Sequence, residues 1–117
     1  MGNRVVLIPS ETYSLIATHL YQVLDTSDVP SGVVNIVCGP RQELNATLAG
    51  HSDVDGFWCW DSKETCAAIE QLAAENMKRT WLSYGYYCDW HDDAITSGRE
   101  FFEHAVEVKN IWVPYGV

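Results

Sequence analysis

Cys88 and His91 are the one thiol and imidazole in this 117-residue chain whose spacing suggests a reactive pair. A cysteine thiolate activated by a histidine is a common nucleophile. Asp89, Asp92 and Asp93 lie beside them, however, and nearby negative charge disfavours the thiolate, the reactive form. Sequence neighbours in a loop also rarely form such pairs. The residues therefore argue against a thiol hydrolase, which remains a distant alternative.

The four cysteines, Cys38, Cys59, Cys66 and Cys88, are spread along the chain without a CxxC pair. A zinc site could combine Cys88 and His91 with Cys59 or Cys66, but a second closely spaced ligand pair is missing. Nothing in the sequence indicates the oxidising compartment that a disulfide framework requires. We predict buried free thiols, with no metal site and no catalytic residue.

Composition and charge exclude several classes of partner. The chain has 7 basic and 16 acidic residues and a net charge of −9, which argues against nucleic acid or an anionic membrane as a partner. An apolar content of 47% is typical of a globular domain. No signal region and no membrane-length apolar run occur in the sequence, so we predict a cytoplasmic protein.

Short apolar runs alternate with amphipathic stretches over residues 4–62. Runs at 4–8, 33–38 and 54–60 predict strands, and the segments 12–26 and 42–49 between them predict helices. After Arg4 the first run is entirely apolar, as in a parallel strand buried on both faces. The sequence thus predicts an α/β fold with a truncated Rossmann-like parallel sheet and helices on both faces.

The second half continues this pattern less regularly. We predict a helix over 63–76, with capping chemistry at its start from Asp61 and Ser62, and a strand over 79–84. A loop over 85–97, a short helix over 99–105 and a last strand over 106–113 follow. We divide the chain into a nucleotide-fold remnant, residues 1–78, and a region of strand, loop and carboxyl-terminal association strand, residues 79–117.

Five short motifs in this order resemble the aldehyde dehydrogenases. Residues 2–11 resemble their Gly-Asn-x-Val-Val-x-Lys-Pro-Ser-Glu strand, 30–40 their Pro-x-Gly-Val-x-Asn-x-Val-x-Gly segment, and 51–55 their His-Pro-x-Val-Asp. Residues 97–100 and 108–113 are similar to their Ser-Gly-x-Gly-Arg-Glu and terminal Lys-x-Val-x-Val. Only residues 66–78 stand where the family has its Glu-Leu-Gly-Gly and Asn-x-Gly-Gln-x-Cys motifs. The motif order, with this short connection in place of the catalytic motifs, looks like the carboxyl-terminal, non-catalytic part of the family-sixteen aldehyde dehydrogenases.

The resemblance implies vestigial cofactor contacts at Glu11, Gly39, Pro40 and Ser62. Ile8 replaces the family's ribose-binding lysine, and Asp61 replaces the glycine that lets the backbone approach the diphosphate. A carboxylate there repels a diphosphate by about 1–4 kcal/mol. We expect NAD affinity to be weak or absent. From the residues alone, Glu11 is either a surviving ribose ligand or a cap of the first helix.

The resemblance also implies a partner. In complete members the carboxyl-terminal strand joins a neighbouring subunit or domain, and residues 108–113 resemble that strand. We expect a fragment that acts as a structural or oligomerisation module, docking onto an aldehyde dehydrogenase catalytic domain or a second copy of itself. The alternative is an NAD-binding part of an oxidoreductase acting on aldehydes, active when joined to its catalytic half.

Overall fold

The computed structural model describes residues 2–116 and divides them into two compact units, Gly2–Tyr87 and a second unit that begins at Cys88. Within this described range, no helix is both long and apolar enough to cross a membrane.

The first unit alternates strands and helices. In order it contains β1 (Val5–Leu7), α1 (Ile16–Asp25), β2 (Val34–Ile36), α2 (Arg41–Gly50), β3 (Gly56–Cys59), α3 (Lys63–Ala73), a 3-10 turn (Ala74–Asn76) and β4 (Arg79–Leu82). β1 pairs with β2, and β3 pairs with β4, both in parallel. The predicted α/β class is confirmed. β4, which we had grouped with the second region, pairs inside the first unit.

The core of this unit lies between β3 and the two helices that flank it in sequence. Successive strand residues point to opposite faces, so Phe57 and Cys59 are both buried while Trp58 is exposed. Ala49 of α2 and Ile69 of α3 pack against that buried pair, with Leu48 and Leu82 at the edge. Both helices therefore cover the same face of the β3–β4 pair and fix the positions of their own amino termini.

The opposite face of this strand pair carries three tryptophans, Trp58, Trp60 and Trp81. The Trp81 ring lies 5.0 Å from that of Trp58 and 5.1 Å from that of Trp60, measured between centroids, and both contacts are edge-to-face. Such arrangements are favoured by the charge distribution of aromatic rings.

The second unit contains two short helices, α4 (Asp93–Thr96) and α5 (Arg99–His104). α5 agrees with the helix predicted over 99–105, and α4 lies in the predicted loop, where the Asp92 carboxylate accepts the Ala94 N–H at 2.9 Å. The strand predicted over residues 106–113 is wrong: this segment has no regular secondary structure. Three of its apolar side chains, Val108, Ile111 and Trp112, are more than four-fifths exposed. A strand needs a neighbour for its backbone hydrogen bonds, and apolar composition alone does not supply one.

Candidate functional site

The candidate site lies in the first unit where β1 and β2 end. A cleft of about 460 Å³ opens there, lined by Pro9, Ser10, Glu11, Ser14, Cys38, Gly39 and Pro40. In open parallel sheets, ligands bind outside the carboxyl ends of the strands, next to the helix amino termini that follow. Three of the four predicted contact residues, Glu11, Gly39 and Pro40, therefore line one cleft. Ser62 is not among the residues that line it.

Glu11 contacts the amino terminus of α2. Its carboxylate accepts a hydrogen bond from the backbone N–H of Arg41, the first residue of that helix. The first N–H groups of a helix have no partner within the helix, and a carboxylate there is stabilised by the helix dipole. Of the two alternatives for Glu11, a cap of the first helix is wrong, since α1 begins only at Ile16 and has no side-chain cap. Glu11 caps the second helix, 30 residues further along the chain.

Asp61 occupies the amino terminus of α3 in a similar way. One carboxylate oxygen accepts the Ser62 N–H at 2.7 Å, and the other lies 3.0 Å from the Arg41 guanidinium. Ser62 is the cap of α3, as predicted, because its hydroxyl accepts the Thr65 N–H at 3.3 Å. The charge of Asp61 is thus balanced locally by both a helix terminus and an arginine.

Ser83 holds the turn between β3 and α3 in place. Its hydroxyl accepts the Asp61 N–H at 3.1 Å and lies 3.3 Å from the Asp61 carbonyl oxygen, to which it donates. The Cys66 thiol also donates to that carbonyl, at 3.6 Å. Because both backbone groups of Asp61 have partners, the backbone of this turn is held in place by the surrounding structure.

Cys59, beneath this turn, is an inert thiol. Burial raises its pKa, and the negative charge of Asp61 and the proximity of Cys66 raise it further, while Arg41 acts in the opposite direction. A thiol with a raised pKa stays protonated at neutral pH and is a poor nucleophile. Cys59 and Cys66 are both buried, as we predicted, whereas Cys38 is exposed.

Cys88 and His91 belong to the second unit. The His91 backbone N–H donates to the Asp89 carboxylate at 3.0 Å, which forms a local turn. Across residues 2–116, no group of three or more histidine, cysteine or acidic side chains is arranged to hold a metal ion.

Sequence reasoning missed Arg41 and Ser83, the two side chains that secure Asp61. Arg41 did carry a signal: a cation in the first turn of a helix is disfavoured by the helix dipole, so its presence there indicates a nearby carboxylate. Ser83 carried none, because its contact with Asp61 joins residues 22 positions apart.

Parallel strands, helix amino termini at their carboxyl ends and a cleft between them define a nucleotide-binding type of α/β fold. The aldehyde dehydrogenase family model matches residues 1–86, so the chain belongs to the aldehyde dehydrogenase family.

Individual relatives support this assignment. The chain is 38% identical over 84 residues to human 2-aminomuconic semialdehyde dehydrogenase and 36% identical over 85 residues to the NADP/NAD-dependent aldehyde dehydrogenase PuuC of Escherichia coli. Both matches cover 72% of this chain and 17% of the relative. The chain therefore spans about a sixth of the length of the curated relatives it matches.

Solved structures give the same result. A gamma-glutamyl-gamma-aminobutyraldehyde dehydrogenase from Burkholderia cenocepacia matches with a TM-score of 0.65 and 41% identity, over 69% of this chain and 16% of that one. A betaine aldehyde dehydrogenase from Staphylococcus aureus, solved in complex with NAD+, matches with a TM-score of 0.64 and 26% identity, over 68% of this chain and 16% of that one.

Proposed function

We propose that this chain is a non-catalytic part of an aldehyde dehydrogenase, of the family-sixteen type and corresponding to its carboxyl-terminal portion, that serves as a structural and oligomerisation module. The observation that carries the proposal is the occupied amino terminus of α3. Asp61 accepts the Ser62 N–H and pairs with Arg41, the two kinds of donor that a diphosphate would otherwise use. A dinucleotide would have to displace a carboxylate that belongs to the chain itself.

The thiols also favour a non-catalytic role. Aldehyde oxidation through a thiohemiacetal requires an accessible thiolate next to a base and a bound nicotinamide. Cys59 and Cys66 are buried, and the pKa of Cys59 is raised. Cys38 is exposed in the cleft but carries none of the sequence context that the resemblance associates with a nucleophile.

Exposed apolar surface supports docking onto a larger body. Val5 and Val6 of β1 point to opposite faces of their strand, and both are more than two-fifths exposed. In α1, Ile16 and Val23 are more than three-fifths exposed. Parallel strands are normally covered on both faces. We propose that the remainder of an aldehyde dehydrogenase subunit covers these exposed faces of β1 and α1, because the chain spans 17% of the length of the relatives it matches.

The terminal segment supplies a second contact. Residues 107–116 are exposed and without regular structure, and they include Val108, Ile111, Trp112 and Val113. A segment of this kind can add as a strand to the sheet edge of a partner, which satisfies its backbone groups and buries alternate side chains. We propose that it associates in this way with an aldehyde dehydrogenase catalytic domain or with a second copy of the chain. A cytoplasmic location stays a prediction.

Calorimetric titration of the 117-residue chain with NAD tests the absence of cofactor binding. We expect a dissociation constant weaker than about 100 μM, which corresponds to less than about 5.5 kcal/mol of binding free energy. Tighter binding contradicts the proposal. So does aldehyde oxidation by the chain alone that is lost when one of its thiols is replaced.

Light scattering after size exclusion tests the terminal segment. Replacing Ile111 and Trp112 together by serine should abolish association of the chain with itself or with a catalytic domain. Glu107→Gln is the control, since it alters a charge in the same segment and keeps the apolar side chains. If the double variant associates as the unaltered chain does, the segment is not the contact.

An NAD-binding part of an aldehyde-oxidising enzyme is the second candidate, and the cleft favours it. Glu11 lies in the cleft, and its carboxylate is of the type that binds ribose hydroxyls in dinucleotide folds. One similar structure is a complex with NAD+. Joining this chain to a catalytic half and measuring NAD affinity again separates the two candidates.

A further inference from the structure

The amino termini of α2 and α3 are both occupied by carboxylates of the chain itself. Glu11 accepts the first N–H of α2, and Asp61 accepts the Ser62 N–H at the start of α3. The amino terminus of a helix attracts anions because its N–H groups are unpaired and the helix dipole is positive there. At the amino termini of α2 and α3, a carboxylate of the chain itself therefore occupies the position where an external anion would bind.

Arg41 connects the two carboxylates. Its backbone N–H is bonded to Glu11, and its guanidinium lies 3.0 Å from Asp61. A guanidinium is the side chain best suited to a phosphate group, because its N–H donors match two oxygens at once. The Arg41 and Asp61 side chains are only 36% and 25% exposed, so water screens this pair less than a surface pair.

Asp61 cannot easily move out of this position. Ser83 binds both the N–H and the carbonyl of Asp61, and Cys66 binds the carbonyl as well. Moving the carboxylate away from Arg41 therefore requires rotation of the side chain alone, with loss of both the ion pair and the Ser62 hydrogen bond.

We propose that the Arg41–Asp61 pair is an autoinhibitory contact that excludes a nucleoside diphosphate from the amino terminus of α3, and that Arg41 binds the diphosphate once Asp61 is removed. This inference rests on the proposed function, in which the chain does not bind the cofactor. It attributes the loss of cofactor binding to the Asp61 carboxylate. It also predicts that the remaining hydrogen-bond donors of the site are intact.

The test is titration of the full chain with ADP, followed by calorimetry. Asp61→Ala should lower the dissociation constant for ADP at least about tenfold relative to the unaltered chain. Glu64→Ala is the matched control: Glu64 is exposed in the first turn of the same helix, and its removal changes the net charge equally. It should change the constant less than about threefold. Adding Arg41→Ala to Asp61→Ala should abolish most of the gain.

The outcomes separate the two proposals. ADP or NAD binding by the unaltered chain tighter than about 100 μM contradicts the proposed function. No gain in Asp61→Ala, an equal gain in Glu64→Ala, or a gain that survives the loss of Arg41 overturns the autoinhibitory contact alone. If Asp61→Ala does not fold, as judged by circular dichroism, Asp61→Asn replaces it. This variant keeps the shape and removes the charge, and absence of any gain there also overturns the inference.

Discussion

Replacement of Lys78 by methionine should destabilise the first unit strongly. Lys78 is 8% exposed, and its ammonium donates to the carbonyl oxygens of Leu48 at 3.0 Å and His51 at 2.7 Å. These carbonyls belong to the last turn and the carboxyl-terminal cap of α2, and each also accepts one backbone N–H at 3.3 Å, that of His51 for Leu48 and that of Val54 for His51. Methionine has a similar length and no donor, so both carbonyls lose this partner.

The expected loss follows from these two hydrogen bonds. A bond to a charged group contributes about 1.5–3 kcal/mol, which gives roughly 3–6 kcal/mol before the charge itself is considered. Removing a buried charge recovers part of this energy, and the lowered pKa of Lys78, caused first by burial, shows that the site disfavours the charge. We expect a net loss of about 2–4 kcal/mol in the free energy of unfolding.

Urea denaturation followed by tryptophan fluorescence measures this loss. With a slope of about 1–3 kcal/mol per molar urea, the midpoint should fall by roughly 1 M or more. Lys63→Met is the control, since Lys63 is an exposed lysine in the first turn of α3. It should change the free energy of unfolding by less than about 0.5 kcal/mol. A Lys78→Met midpoint equal to that of the control would refute the reasoning.

The same substitution has a pH dependence with a defined sign. The pKa of Lys78 is lowered in the folded chain, so between that value and the ordinary 10.5 the unfolded chain binds more protons. Its contribution to the free energy of unfolding therefore rises with pH in that window, and Lys78→Met lacks this contribution. The difference between the two proteins should widen from neutral pH towards 10.5. A difference that narrows contradicts the burial of this charge.

Three further predictions concern a thiol, a turn and the core. Iodoacetamide should label exposed Cys38 well before buried Cys59, whose pKa is raised by burial; equal rates by mass spectrometry would be contrary to this. Met77 has a φ of 54° and is 89% exposed, so Met77→Gly should add about 0.5–1 kcal/mol to the free energy of unfolding, and Met77→Ala should not. Phe57→Ala should remove about 3–5 kcal/mol, because Phe57 is buried in the core; a loss under about 1 kcal/mol in urea denaturation would place the core elsewhere.

Much of the fold of the first unit could be predicted from the sequence, because the relevant signals are local. Alternating apolar runs located the four strands, and the Asp61-Ser62 dipeptide before Lys63 located the start of α3. Boundaries were less accurate. α1 begins four residues later than predicted, since nothing at Thr12 caps a helix and the residues before Ile16 form turns.

The candidate site could be predicted only in part. Short motifs indicated Glu11, Gly39 and Pro40, and the structure brings these three to one cleft. The alternative in which Glu11 caps a helix named the wrong helix, because the contact with Arg41 depends on where β1 ends and α2 begins in space. The prediction of a terminal strand over 106–113 was wrong for a related reason. Apolar composition describes a preference for strand structure, whereas a strand forms only beside a paired neighbour.

The sequence by itself determined the family, the order of strands and helices in the first unit, and the replacement of a glycine by Asp61. The tertiary structure alone decided what that replacement does. It brings Arg41 of one helix and Ser83, just after the last strand, to the same aspartate, over separations of 20 and 22 residues. Hydrogen bonds and ion pairs depend on distances of a few ångström, and chain positions this far apart acquire such distances only when the strands pair and the helices pack.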